Sequence, residues 1–501
     1  MRTFGLQNKE MAMEMDMIEY FRGKPLRTGD KAQLLLDDYI IEDTWKLARV
    51  LHQPMKWFKN PILYQTEPWE GEHVGSPFVM WDKEFGCYRM WYSSFVPANY
   101  YSFSTTGPSY FMCYAESEDG INWRKPKLDV CRLPGFEKTN VIYYGADGKR
   151  GSGQVFKDED EKDPEKRYKM VCLEQFPWKG GYEGYTSGVR ILYSPDGLKW
   201  NPQNAYFVLD YHSDANNHVV FDRKNHRWLL YCRPIIYASG RSSGLRHHRR
   251  RVTVMVSEDL VHWSYPRMVM FPDEKDRPDY DHVFVTLYGN YFLMFYGAME
   301  GDTTGIKDTF FAWSRDGFHW ERFYTRQPFL PRGNENSWDA GEVLTYSMVE
   351  RGEDLLLYYA GHNRGQHQQG IYRNGIGVAF LKQDRFVEQK AGNEPGYLLT
   401  REFICEGKFL KLNTGFASMP DKQQRIRVEI LRHPPLGKNA HFNQIYNGYG
   451  LEDCNEISTN RVDVPVTWKT KKDLSGLVGK PLYLRFELLN MGLFSFRLSD
   501  E

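Results

Sequence analysis

The chain lacks several things that would have settled its class at once. Its seven cysteines (Cys87, Cys113, Cys131, Cys172, Cys232, Cys405 and Cys454) are odd in number and widely spaced, with no CxxC pair. That pattern indicates neither a disulfide framework nor a zinc knuckle, and buried reduced thiols are expected. There is no excess of charge, since 65 Lys+Arg balance 65 Asp+Glu. A nucleic-acid binder needs a basic footprint, and docking on an anionic membrane needs basic clusters, so neither partner is expected. No apolar run reaches the roughly 20 residues of a membrane span, and the acidic opening MRTFGLQNKEMAMEMDMIEYF has no signal-like apolar core. As written, the chain is expected in the cytoplasm. What it has in abundance is aromatic residues, 16% of 501, among them 33 Tyr and 31 Phe. Aromatics favour strands and provide flat platforms for sugar rings.

One pattern recurs. Ser117-Glu118-Asp119-Gly120 ends in Trp123, Ser194-Pro195-Asp196-Gly197 in Trp200, Ser257-Glu258-Asp259-Leu260 in Trp263 and Ser314-Arg315-Asp316-Gly317 in Trp320. A fifth, degenerate copy runs from Val378 through Asp384 to Phe386. Each follows an apolar stretch, so each reads as a hairpin turn whose Ser and Asp bind backbone amides and whose Trp packs between sheets. Asp119, Asp196, Asp259 and Asp316 are therefore structural. Upstream of each copy lies a strand, a polar turn and a second strand, as in His218–Asp222 followed by Arg227–Tyr231. Four strands per repeat, at spacings of 57 to 77 residues, predict an all-β chain with a five-bladed β-propeller. The expected divisions are an extension over 1–31, with apolar residues at loose helical spacing, the propeller over 32–391 and a C-terminal β-sandwich over 392–501. Ala32–Ile41 is expected to lead into the ring.

With these turns and this domain order, the chain resembles the five-bladed glycoside hydrolases of families 32 and 43, and over residues 33–501 a group of bacterial family-32-like proteins. Ser257-Glu258-Asp259-Leu260-Val261-His262-Trp263, Leu36–Glu42, Asn60-Pro61-Ile62-Leu63 and Pro68-Trp69-Glu70 carry the likeness. The Asn-Asp-Pro-Asn-Gly, Arg-Asp-Pro and Glu-Cys-Pro motifs of family 32 are absent, so the substrate does not transfer with the fold. The resemblance implies a glycosidase acting without an organic cofactor, although a cation in the channel remains compatible, and no metal-ligand spacing is present.

Glycosidic cleavage uses two carboxyl groups across the bond. The starts of the innermost strands should converge on one pocket, and those starts supply the candidates Asp214, Asp281 and Glu342, with Glu70 as substitute. The second repeat offers only Ser152-Gly153-Gln154. Arg233, Trp69, His73, Asn217, His282, Trp338 and Asp339 are expected to bind substrate, and Trp178 also lies near a rim. The basic run His247–Arg251 reads as a solvated edge. Cleavage of a furanoside, such as a fructoside or arabinoside, is the expected activity on an oligosaccharide or glycoside. A non-catalytic glycan-binding propeller and a glycoside phosphorylase, which would need a basic pocket near Arg233, stay open, as do the acid/base assignment and oligomeric state.

Overall fold

A computed structural model describes residues 24–96, 108–146, 148, 150–177, 185–209, 217–233, 250–300, 304–416, 423–432 and 444–501. It divides the chain into two compact units, one of Met1–His52 with Asp384–Glu501 and one of Gln53–Gln383. The 1–23 segment, with its loosely helical spacing, lies outside the described residues. Among those described, no helix is long and apolar enough to cross a membrane, and all the cysteines are free thiols, five of them buried and Cys87 and Cys131 half-buried.

The larger unit is built from antiparallel four-stranded meanders. The first comprises His73–Asp82, Cys87–Phe95, Tyr110–Ser117 and Val141–Tyr143, the second Gly151–Lys157, Tyr168–Pro177, Tyr185–Ser194 and Tyr206–Leu209. The third comprises His218–Asp222, Arg227–Cys232, Val252–Ser257 and Arg267–Met270. An eight-stranded sheet holds two more such groups. The fourth is Asp279–Tyr288, Tyr291–Met299, Lys307–Ser314 and Glu321–Arg322; the fifth is Glu342–Arg351, Asp354–His362, Asn374–Lys382 and Met55–Lys56. A single parallel pairing, Lys307 with Glu342, joins them. Strands such as Tyr291–Met299 are buried at every position, which is why they read as continuous apolar runs rather than alternating ones.

The four Ser-x-Asp turns superpose in their bonding. Asp119 Oδ1 accepts from the amides of Ile121 and Asn122 at 2.9 and 2.8 Å, and Asp196, Asp259 and Asp316 repeat this at 2.8–2.9 Å. The serine hydroxyl accepts from the third residue's amide at 2.9–3.0 Å. That residue has φ between 63 and 80°, which explains glycine in three copies and marks Leu260 as strained.

Three of the four turns accept a hydrogen bond from the neighbouring group. Trp91 Nε1 of the first group donates to the Gly197 carbonyl of the second at 2.7 Å, and Tyr231 of the third donates to Gly317 of the fourth at 2.9 Å. Tyr358 of the fifth donates to Gly120 of the first at 2.8 Å. The motif tryptophans pack in the same joints, Trp123 against Tyr358 and Trp320 against Tyr231.

The smaller unit has two sheets. Gly396–Thr400, Pro481–Leu489 and Arg425–Arg432 belong to one, and Val387–Ala391, Gly492–Ser499 and Phe409–Gly415 to the other. Leu398, Ile430 and Phe486 from the first share one apolar core with Leu410, Leu412 and Phe496 from the second. The N-terminal strands lie here and not in the larger unit, contrary to the sequence reading of Ala32–Ile41. Gln33–Leu34 pairs with Gly492–Ser499, Ile41–Trp45 with Gly396–Thr400 and Leu47–Leu51 with Val387–Ala391. The boundaries between units therefore fall at 52/53 and 383/384, where the sequence suggested 31 and 391. The apolar run Leu34–Leu36 is buried in the smaller unit, as Leu35 in its shared core illustrates.

Candidate active site

A cavity of about 460 Å³ opens in the larger unit, and every one of its five groups contributes to the wall. The first gives His73 and Ser76, the second Ser152 and Gln154, the third Arg233. The fourth gives Asp281 and Lys307, and the fifth Glu342 and His362.

Local irregularities set several of these side chains. In the first strand of the fourth group, Tyr280 pairs with Ala298 and His282 with Gly297, so Asp281 is the extra residue of a β-bulge. Tyr346 is the extra residue between Thr345 and Ser347, and Ser76 lies in the irregular stretch between Gly75 and Phe78 with φ 48°. All three line the cavity. Bulges break the two-residue alternation and re-aim a side chain, a device common next to active sites. At Gly153 a Cβ would lie 1.9 Å from the Val171 carbonyl oxygen, so only glycine fits that part of the wall.

Lys307 is the centre of the charge network. Its Nζ lies 2.6 Å from Asp281 Oδ2 and 3.2 Å from Glu342 Oε2, so these two oxygens are within about 6 Å of each other, the most that a shared nitrogen allows. Asp281 also meets Arg250 at 2.8 Å and Arg233 at 3.1 Å. Burial would raise its pKa, but Lys307, Arg250 and Arg233 overcome that and hold it well below the ordinary carboxylate range. Glu342 is subject to the same burial, opposed by Lys307 and His362 and reinforced by Asp281; the net shift is downward. Lys307, despite burial, is held above its ordinary value by the two carboxylates.

Behind Glu342 runs a pair of histidines. His362 Nδ1 lies 3.4 Å from Glu342 Oε2 and 2.9 Å from the Tyr372 hydroxyl, while its Nε2 is 2.6 Å from His73 Nε2. Burial, His362 and Lys307 push the His73 pKa well below 6.5, so His73 is neutral at neutral pH.

Asp281, Glu342, Arg233, His73 and Asn217 thus line one cavity. Asp214 and Trp178 lie outside the described residues. Glu70 is not in the cavity wall: it is buried, with Lys125 at 2.7 Å, the Tyr92 hydroxyl at 2.6 Å and the Thr66 and Glu67 amides around it. Its neighbour Glu72 lines the cavity in its stead. Trp69 is also turned into the core, donating to Asn140 at 2.8 Å. His282 is buried beside the wall, 2.6 Å from the Thr345 carbonyl, because the bulge turns Asp281 inward and its successor back. Asp339 pairs with Lys56 at 2.6 Å, and Trp338 stacks on Tyr359; neither borders the cavity.

Sequence reasoning missed Lys307, His362, Tyr372 and Arg364. It looked for acids at the starts of first strands, and these four sit at the start of a third strand, the end of a second and the loop between. Arg250, read as part of a solvated edge, is half-buried and its amide donates to Asp279 at 2.5 Å. Its signal was an arginine two residues before a strand. Among the described residues no group of three or more His, Cys, Asp or Glu is arranged to hold a metal.

No protein-family model and no curated protein matches the chain. Solved structures do. An N-acetylgalactosamine deacetylase from F. plautii, in complex with blood group B trisaccharide, aligns at 15% identity and TM-score 0.45, covering 68% of this chain and 96% of that one. A thermostable family-43 glycoside hydrolase aligns at 13% identity and TM-score 0.42, over 65% and 95%. The catalytic domain of a Coprinopsis cinerea GH62 alpha-L-arabinofuranosidase aligns at 12% identity and TM-score 0.40, over 67% and 97%.

Proposed function

We propose that this protein is a glycosidase that uses Asp281 and Glu342 as its carboxylate pair, with a furanoside as the favoured substrate. The five four-stranded groups are read as blades of one propeller. Turn docking from second group to first, fourth to third and first to fifth supports this reading. The smaller unit, with two sheets over a common core, is read as a β-sandwich.

The carrying observation is that a buried carboxylate, Glu342, and a half-buried one, Asp281, share one lysine in a cavity walled by every group. Their oxygens lie within about 6 Å of each other, which suits the separation of about 5–5.5 Å in retaining enzymes better than the wider spacing of inverting ones. The two environments differ, which supports different roles for the two carboxylates. Asp281 faces three cations and stays ionised, as a nucleophile must. Glu342 has the longer contact to Lys307, and although burial and Asp281 push its pKa up, Lys307 and His362 outweigh them and hold it below its ordinary value in the free site. As the acid of the pair, Glu342 takes up its proton in the substrate complex, where a sugar hydroxyl competes for Lys307, and donates it to the leaving group. His362 and His73 hold Glu342 in place and offer it a route for that proton.

The test is sugar release from a panel of arabinofuranosides and fructofuranosides. Asp281→Asn and Glu342→Gln should each lower kcat by about 10²–10⁴-fold, with Glu342→Gln spared on substrates carrying an activated leaving group. Unchanged turnover in both variants would remove the assignment. Specific binding without turnover in the native protein would favour a glycan-binding module.

A further inference from the structure

Three strands bring the carboxylate pair and its lysine together. Asp279–Tyr288 carries Asp281, Lys307–Ser314 carries Lys307 and Glu342–Arg351 carries Glu342. Among the described residues, the bridge of Lys307 with Glu342 is the one backbone pairing between any two of these strands. A single bridge does not fix where Asp281 stands relative to Glu342. That placement falls to side chains.

His282 supplies the first tie. Its Nε2 lies 2.6 Å from the Thr345 carbonyl, which only accepts, and its Nδ1 is buried without a partner, so the proton sits on Nε2. Burial lowers the pKa of this ring to about 4, and it is neutral at neutral pH. The same ring lies against Tyr346, with centroids 4.1 Å apart. Both contacts join one bulge to another. His282 directly follows Asp281, the extra residue of its strand, and Tyr346 is the extra residue after Thr345. One imidazole thus holds together the two places where a side chain is re-aimed into the cavity. Thr309 supplies the second tie. Its hydroxyl donates to the Val343 carbonyl at 2.9 Å and accepts from the Thr345 amide at 3.1 Å. Gly297 is the register partner of both His282 and Thr309. A methyl there would lie 2.3 Å from Leu344 Cδ2 and 3.1 Å from His282 Cβ, so glycine lets the Glu342 strand close on this pair. Neither His282 nor Thr309 borders the cavity.

We infer that His282 and Thr309 are positioning residues, which act from behind the cavity wall by locking the strands of Asp281, Lys307 and Glu342 at the spacing the reaction needs. The inference rests on the reading of Asp281 and Glu342 as the reacting pair. A reacting group displaced by about 1 Å loses about 10²-fold in rate, so a lock of this kind shows in turnover before it shows in binding.

Steady-state kinetics of the full-length chain on the furanoside panel test this, with rates expressed per folded molecule. His282→Leu should lower kcat by about 10²-fold and leave KM little changed. His282→Gln, whose amide can donate from the place of Nε2, should recover most of the loss. Thr309→Val and Thr309→Ser should behave as the same pair of loss and recovery, and they carry the test if His282→Leu does not fold. A residue that only supports the fold would lower the denaturant midpoint and leave kcat per folded molecule as it was. Infrared difference titration, with Glu342→Gln as the blank, gives a readout that needs no turnover. The Glu342 carboxyl should titrate higher in His282→Leu than in the native chain, because Lys307 no longer holds it as closely. Unchanged kcat in both His282→Leu and Thr309→Val would overturn the inference. If the native chain hydrolyses nothing, that counts against the proposed activity alone, and an unshifted Glu342 titration is then the result that overturns the lock.

Discussion

A single lysine settles how the two cavity carboxylates behave. Lys307→Met would leave buried Glu342 and half-buried Asp281 beside one another with their shared cation gone. Removing one partner of a buried ion pair costs about 3–5 kcal/mol, a loss readable from the denaturant midpoint. Arg233 and Arg250 still face Asp281, so the charge left without compensation is chiefly that on Glu342. The histidines make a second prediction. Burial lowers the pKa of His282 to about 4 and of His218 to about 3. Unfolded, each titrates near 6.5, so between 6.5 and the folded value the unfolded chain binds more protons and stability is lost as the pH is lowered. Denaturation at a series of pH values should show this loss beginning near 6.5, and His282→Asn should make the slope shallower whatever it does to the absolute stability. Asp281 adds a loss of the same sign only below the ordinary carboxylate range, because its folded pKa is depressed.

At the scale of elements, the turns and the bulges contrast. In Ser194→Ala the Gly197 amide loses its acceptor, and a cost of about 1–3 kcal/mol is expected for a buried donor left unsatisfied. Gly197→Ala should cost more than a simple propensity change, since φ is 73° and the new methyl would meet Trp91 at 2.9 Å and Tyr168 at 3.0 Å. Equilibrium unfolding in denaturant ranks the two. These turns could be read from sequence because all their chemistry lies within six residues: a serine, an aspartate, a left-handed residue and the amides they bind. The bulges at Asp281 and Tyr346 could not. A two-residue period assigns side chains to faces only while register holds, and a bulge is a change of register decided by the partner strand. Asp281 was selected for its place at a strand start, and the bulge that turns it into the cavity left no mark in the sequence. For the same reason His282 was expected beside it and instead faces away.

For the molecule as a whole, the first and fifth groups are joined across more than 230 residues by the Tyr358 hydroxyl on Gly120 and by Arg351 donating to the Asp119 carbonyl at 2.8 Å. Tyr358→Phe should cost about 1 kcal/mol. Hydrogen exchange should then quicken together in Tyr110–Ser117 and Asp354–His362, as expected for two edges of one closed ring; acceleration confined to one group would argue for independent sheets. Met55–Lys56 supplies the outer strand of the fifth group from the N-terminal side. That contribution, and the placement of residues 33–51 in the smaller unit, were not legible, because a short strand carries no record of its partner.

The sequence by itself determined what is local: the hairpin turns, the apolar strands, the repetition of one four-stranded unit, and the presence of acids where those units begin. Tertiary structure alone decided which acids meet. It buried Glu70 under Lys125, turned Asp281 inward, and brought a lysine from a third strand and a histidine from the end of a second to stand between and behind the carboxylates. The physical reason is that turn chemistry is satisfied by neighbours in sequence, whereas the charge balance of a cavity is satisfied by neighbours in space.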